Sequence, residues 1–339
     1  MLSTERQSKM AHEGWQEICR PLDPFLKQVT GGLREQVHCF DPAIGTFVQY
    51  ALAGQGKQLR PVLVALGGGA IGPVGADHVK AAVIIEMVHL ATLVHDDVID
   101  HAEMRRGRPT VTANWGAEIS VLVGDCLFAQ ALELAAQFPT PKVCRAVSAA
   151  TRTVCTGEVM QTLRRGNFNV TREEYLRVVR MKTAELFALA CGLGAELAGA
   201  APAAAASLAE YGVELGTAYQ IYDDCLDIFG AEPVEGKSLG TDMALGKATL
   251  PVLVALERLP AAHARRLRGL LTQWDPSLAA EMRELLSQAG AMEETLLVAR
   301  SHLARACGAV EVLPPCSESR GLLGLARCLE DQIAAIAAA

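Results

Sequence analysis

Apolar residues recur along this chain at helical spacing, and the alternating pattern of half-buried strands is absent from its clear repeats. Residues 1–20 are polar and mixed, and Pro21 to Pro24 then opens a more regular pattern, so residues 1–20 read as a loosely held arm. Gly67 to Gly75 reads as a glycine-rich turn. From Ala76 to His101 there is no Gly or Pro, a length that gives about seven helical turns. Arg105 to Pro109 is a charged loop, and 116–137 and 143–164 read as two buried helices separated by Pro139 and Pro141. Thr171 with Glu174 three residues later predicts a capping box at the start of a helix over 172–198. Another helix spans about 203–229, Gly230 to Gly246 is a polar loop, and the pattern after Pro251 is again helical to the end. The class is all-α, with one helical domain over 21–339.

Composition narrows the picture. Of 339 residues half are hydrophobic and only 5% aromatic, enough for a large core rich in small side chains. A formal charge of −7 gives no broad basic surface, so no nucleic-acid partner is expected and anion binding must come from particular residues. The ten cysteines form no CxxC pair and read as buried small hydrophobes in a reducing cytoplasm. No integral membrane segment is expected, since the apolar run Ala81 to Val94 is interrupted by Glu86 and His89 before it reaches the roughly 20 residues of a span.

Two long apolar helices each finish in the same acidic form, Asp-Asp-x-x-Asp: Asp96, Asp97 and Asp100 in the first, Asp223, Asp224 and Asp227 in the second. Spacings of three and four bring carboxylates onto one helical face, where like charges repel unless a cation joins them. Carboxylate oxygens are hard ligands that suit Mg²⁺, which typically binds one or two carboxylates together with substrate phosphates. One such cluster is as easily a solvated helix end; two, each preceded by apolar residues, make that coincidence small. Cations stand close by: Lys57 and Arg60, Arg105 and Arg106 after the first cluster, and Lys237 and Lys247 after the second. Arginine's fork suits phosphate oxygens and lysine supplies a point charge.

These blocks resemble the trans-isoprenyl diphosphate synthases, or polyprenyl synthetases. The resemblance rests on Gly56-Lys57-x-x-Arg60-Pro61, Glu86-Met87-Val88-His89 leading to the first cluster, Arg105-Arg106-Gly107 and Gly124-Asp125. It continues through Gly157-Glu158-Val159-Met160-Gln161, Lys182-Thr183-Ala184, Tyr219-Gln220 into the second cluster, and Gly236-Lys237 through Asp242 to Gly246-Lys247. Order and approximate spacing hold from about 25 to 255; the C-terminal third matches only as generic helix. The resemblance implies one large helical bundle with a central substrate cavity, Mg²⁺ as cofactor, and condensation of isopentenyl diphosphate with an allylic diphosphate, with no protein nucleophile or general base. It implies Asp96, Asp100 and Asp223 as direct metal ligands, with Asp97, Asp224 and Asp227 supporting. Lys57, Arg60, His89 and Arg106 would hold isopentenyl diphosphate. Arg105, Lys182, Thr183, Gln220, Lys237 and Lys247 would hold the allylic diphosphate, with Lys182 among the catalytic groups. A homodimer is also implied.

If the growing tail runs back along the first aspartate helix, then Thr92, Ala91, Val88 and Met87 line its pocket and Phe128 is a candidate floor. Short-chain relatives carry a bulky aromatic near Ala91 or Thr92, so the small Ala91 points to a longer product, hexaprenyl to decaprenyl in class. Such a product dissolves in membranes, which is compatible with loose membrane association. Gln58 and His101 depart from the family pattern, where an arginine and an acidic residue are common. Two alternatives share parts of the pattern. A class I terpene cyclase needs no second diphosphate pocket, against which stand Lys57, Arg60 and His89. A non-catalytic regulatory subunit would be marked by a damaged aspartate cluster.

Overall fold

A computed structural model describes residues 14–53, 56–230 and 240–338. The described elements are nearly all helical. A short helix α1 (14–19) leads into α2 (Asp23–Gln36), α3 (Pro42–Ala53), α4 (Leu59–Gly69) and α5 (Ala76–Ile99). A two-stranded hairpin, β1 (Met104–Arg105) and β2 (Arg108–Pro109), precedes α6 (Val111–Ala136) and α7 (Lys142–Leu163). Then come α8 (Arg172–Val179), a π-helical turn (Arg180–Ala184), α9 (Glu185–Leu197), α10 (Pro202–Phe229) and the short α11 (Thr241–Ala244). The chain closes with α12 (Leu250–Arg258), α13 (Ala261–Thr272), α14 (Ala279–Gln288), α15 (Ala291–Glu311) and α16 (Ser317–Ala337).

Of the arm expected over 1–20, residues 1–13 lie outside the described residues. Residues 14–19 are helical, and Trp15, Ile18 and Cys19 pack on the core, so that part is held. The glycine-rich turn begins later than expected. Gly67, Gly68 and Gly69 are helical because a side chain is excluded there: a Cβ on Gly67 would lie 2.7 Å from the Cys191 carbonyl oxygen. Across the same α4–α9 crossing, a Cβ on Gly194 would lie 2.5 Å from the carbonyl oxygen of Val64. Gly212 and Gly216 do the same for α10, where a Cβ would meet the Phe187 carbonyl oxygen at 2.5 Å and the Ala184 Cα at 2.7 Å. Small residues thus let helix backbones approach closely at the centre of the fold.

The capping box at Thr171 is present: its hydroxyl accepts from the Glu174 N–H at 3.2 Å, and Glu174 Oε2 accepts from the Thr171 N–H at 2.9 Å. The helix it opens is not continuous, however, because the π-turn interrupts it. Helix α6 begins at Val111, capped by Thr110, and bends at Gly116, which has the positive φ of +86°. By length and composition α6 could cross a membrane; it lies against α5 with only part of its surface covered. The expectation of two buried helices is therefore corrected: α6 exposes Val121 and Leu122, and α7 exposes Val159 and Leu163. The cysteines also differ from expectation, since Cys39 and Cys155 are exposed; all ten are free thiols.

Candidate active site

Helices α5 and α10 carry the two aspartate clusters at their C-terminal ends. On a helix each residue turns about 100°, so the first and fourth-following positions share a face while the residue after the first is turned away. The three carboxylates of a cluster consequently do not converge, contrary to the expectation from spacing. Asp97 points out of the site and is buried, where Arg105 forks onto its Oδ1 through Nε at 2.8 Å and a terminal nitrogen at 2.7 Å. Asp224 is likewise buried; Tyr175 donates to its Oδ2 at 2.6 Å and Gln220 to its Oδ1 at 2.8 Å. The middle aspartates are thus anchors of the protein.

The outer aspartates of the first cluster meet cations. Lys182 Nζ stands 3.6 Å from Asp96, pairs with Glu158 and donates to Gln161 Oε1 at 3.0 Å. Asp100 accepts from Lys247 at 3.0 Å and from Arg165. Lys247 also lies 3.4 Å from Asp242, whose backbone N–H donates to Asp227 at 3.1 Å. A continuous run of contacts, Asp100 to Lys247 to Asp242 to Asp227, therefore joins the first cluster to the second. Thr183, next to Lys182, donates to Gln220 at 2.7 Å and ties the π-turn to the Asp224 anchor.

Burial pushes the Asp96 carboxyl up to about 6, with Glu158 and Asp100 adding repulsion that the nearby Lys182 only partly offsets. Asp227 is pushed up to about 7 by burial and by Asp242. Asp100 differs: burial would raise it, but Lys247, Lys182 and Arg165 outweigh burial and hold it below the usual carboxylate range. Carboxylates pressed together with raised pKa values are donors short of a cation, so the hard oxygen set fits a divalent ion such as Mg²⁺. Among the described residues no group of three His, Cys, Asp or Glu forms a cage on its own, so the remaining ligands would come from water or substrate.

A second cationic group lies on the N-terminal side of α5. His89 is seven residues, about 10 Å of helix rise, before Asp96. Its imidazole is held well below its ordinary value by burial and by Arg60, Arg106 and Arg105, which keeps it neutral. Arg60 lies 5.2 Å over the Phe187 ring, with its Nε buried and unpartnered. Arg106 occupies the hairpin turn with Gly107, both at positive φ, and its guanidinium lies so close to Gly56 that a Cβ there would be 2.6 Å from Cζ. Lys57 is exposed beside them. The buried Glu86, to which the sequence alone assigns no role, sits near Arg60 and Arg106, with Oε2 unpartnered among the described residues. Lys237 lies outside the described residues.

The expected tail pocket is tightly packed: Met87, Val88 and Ala91 are fully buried, Thr92 donates to the His89 carbonyl at 2.7 Å, and Phe128 stacks at a tilt on His95 with ring centres 5.6 Å apart. An open cavity of about 150 Å³ lies on the adjacent face of α5 instead, between Tyr50, Leu90, Leu93, Val94 and the hairpin arginines. Glu158, Tyr175, Arg165 and Asp242, like Glu86, are site residues to which the sequence alone assigns no role. Glu158 lies within the Gly157–Gln161 motif; Tyr175 and Arg165 have no local signal, because their partners are 49 and 65 residues away.

Two long helices that each end in an aspartate cluster, joined through Lys247 and Asp242, define an all-helical protein built to hold anionic groups through cations. The polyprenyl synthetase family model matches residues 41–289, and the chain belongs to that family. It is 36% identical over 299 residues to the octaprenyl diphosphate synthase of Escherichia coli, covering 88% of this chain and 93% of that one. The structure resembles a decaprenyl diphosphate synthase from Rhodobacter capsulatus with a TM-score of 0.87 and 32% identity, covering 93% of this chain and 98% of that one. It also resembles a polyprenyl synthase from Caulobacter crescentus complexed with calcium and isoprenyl diphosphate, with a TM-score of 0.84, 33% identity and coverage of 95% and 97%.

Proposed function

We propose that this chain is a prenyltransferase that condenses isopentenyl diphosphate head to tail with an allylic diphosphate such as farnesyl diphosphate, giving a long all-trans polyprenyl diphosphate. The observation that carries the reading is the run of contacts joining Asp100, Lys247, Asp242 and Asp227 across the two clusters, with a separate cationic group at Lys57, Arg60, His89 and Arg106. One anionic site between the clusters and a second beside His89 match two diphosphate substrates; a cyclase needs one.

In this reading Lys182, Thr183, Gln220, Lys247, Arg105 and Lys237 hold the allylic diphosphate, and Asp96, Asp100 and Asp223 are the metal ligands. Bound Mg²⁺ would neutralise charge on the departing diphosphate. Lys182 is aimed by Glu158 and Gln161 at the same region, and its charge favours the negative charge that grows as the allylic C–O bond breaks. Neutral His89 donates a hydrogen bond to the isopentenyl diphosphate, whose charge is matched by Lys57, Arg60 and Arg106. The double bond of that substrate attacks the allylic cation, and the released diphosphate takes the final proton. Both clusters are intact, which favours a catalytic chain over a regulatory subunit.

The small Ala91 supports a long product, and a tail that follows α5 past Val88 and Met87 toward Phe128 requires these packed side chains to move apart. The exposed Val121, Leu122, Val159 and Leu163 support a second copy packing on α6 and α7, and the working place proposed is the cytoplasm, with product passing to a membrane. The test is incubation with Mg²⁺, labelled isopentenyl diphosphate and farnesyl diphosphate, followed by chromatography of the dephosphorylated products. A ladder ending at a long prenyl alcohol is expected, and Ala91→Phe should shorten it, at an overpacking cost of about 1–3 kcal/mol. Cyclic hydrocarbon without incorporated label would overturn the reading in favour of a cyclase.

A further inference from the structure

Both oxygens of Asp100 are already bound to cations of the protein. Arg165 donates to Oδ1 and Lys247 to Oδ2, whereas among the described residues Asp96 on the same face is paired with Lys182 at 3.6 Å. Arg165 stands just past the end of α7. Its other terminal nitrogen donates to the Ile99 carbonyl at 3.0 Å, while its Nε is buried without a partner among the described residues. The loop that carries it is fixed: the Gly166 N–H donates to the Gly246 carbonyl at 2.8 Å, and a Cβ on Gly246 would lie 2.9 Å from that same nitrogen. The guanidinium is therefore delivered to the first aspartate cluster by a braced segment, one residue from the Lys247 that serves the other oxygen.

We propose that Arg165 is an internal counter-cation that competes with a divalent ion for Asp100 and must leave Oδ1 for that ion to bind. This rests on the reading of Asp100 as a metal ligand. Lys247 is the poorer group to displace, because its side chain is only 10% exposed against 21% for Arg165 and it has Asp242 as a second partner. The Arg165 fork has an alternative acceptor once substrate arrives, since diphosphate oxygens match its geometry and can take the orphaned Nε–H as well. Free metal then binds poorly by itself, and metal and diphosphate enter as a coupled pair.

The test titrates the metal-free protein with Mn²⁺, reading the free ion by its electron paramagnetic resonance signal, with and without inorganic diphosphate. Arg165→Met, which keeps an apolar stem and removes the charge, should bind Mn²⁺ about tenfold more tightly in the absence of diphosphate. The gain from adding diphosphate should shrink accordingly. Arg164→Met is the control: Arg164 pairs with Glu174 at 2.9 Å, away from Asp100, and its loss should leave Mn²⁺ affinity unchanged. Arg165→Lys, which retains a cation, should stay near wild type, and thermal melting checks that each variant is folded. Mn²⁺ affinity in Arg165→Met equal to or weaker than wild type overturns the proposal. Asp100→Asn separates the two ideas: if it lowers Mn²⁺ affinity while Arg165→Met changes nothing, the counter-cation alone falls. If Asp100→Asn has no effect with diphosphate present, the metal-ligand reading of Asp100 falls, and the counter-cation with it.

Discussion

Tyr175 is the support under the second aspartate cluster, and removing one oxygen from it measures how much that support contributes. Its hydroxyl donates to Asp224 Oδ2 at 2.6 Å, and both side chains are buried, Tyr175 at 7% and Asp224 at 4% exposed. Tyr175→Phe leaves the shape of the ring and strips a buried carboxyl oxygen of its partner. A hydrogen bond to a charged group contributes about 1.5–3 kcal/mol, so a loss of about 2 kcal/mol is expected at a pH high enough to ionise Asp224. Unfolding entropy of roughly 2 cal/mol/K per residue converts this, over the whole chain, to a Tm decrease of about 3 °C. Burial holds the Asp224 carboxyl well above its ordinary value, so the group is neutral at low pH and the bond weaker there. The decrease should therefore grow as pH rises. The assay is calorimetric melting of wild type, Tyr175→Phe, Asp224→Asn and the double variant at two pH values, which isolates the pair from its surroundings. If the double variant equals the sum of the singles, or the Tm decrease is independent of pH, the assignment of Tyr175 as the anchor of Asp224 is wrong.

The crossing of α9 and α10 gives a second expectation: Gly212→Ala places a Cβ 2.5 Å from a backbone oxygen that cannot swing away, and should cost about 3 kcal/mol or more in thermal unfolding. Gly269→Ala, at a glycine with open space around it, should be neutral or slightly stabilising. A pH effect follows from Asp96 and Asp227, raised by burial to about 6 and about 7 from 3.8. Carboxyls that hold protons more tightly when folded add stability below their unfolded pKa and lose it as pH rises through 6 to 7, on the order of 3 kcal/mol for Asp96. Mg²⁺ with inorganic diphosphate should accordingly raise the Tm more at pH 8 than at pH 5.5; equal increases would refute the charge repulsion assigned to these groups.

Helical periodicity carried the long elements well. The span of α5 and the Thr171 cap follow from local chemistry, and both are where sequence places them. Apolar spacing could not reveal the π-turn, because one extra residue in a turn leaves the pattern on either side intact. Gly67 to Gly69 read as a turn for an equally physical reason: glycine marks both breaks and close crossings, and only the position of Cys191 distinguishes them. Within the aspartate clusters the residue types were legible while the roles were not fully so. Asp97 reads in sequence as one of three carboxylates on a shared face, yet the helical turn sends it away from Asp96, to where Arg105 pairs with it. Arg165, Tyr175 and Glu158 act on partners far along the chain or on another helix, so no local motif announces them.

The π-turn at Arg180–Ala184 makes one chain segment answer to two clocks. On its α8 side the residues keep phase with Tyr175 and Asp224; on its α9 side they keep phase with the close contacts to α4 and α10. Lys182 and Thr183 sit where the two phases meet, one turned to Glu158 and Asp96, the other to Gln220. Deleting a single residue there would restore a uniform helix and rotate one side against the other by about 100°. Sequence change by substitution is thus open to this segment, whereas change in its length is closed: any descendant that shortens it must rebuild either the site or the core.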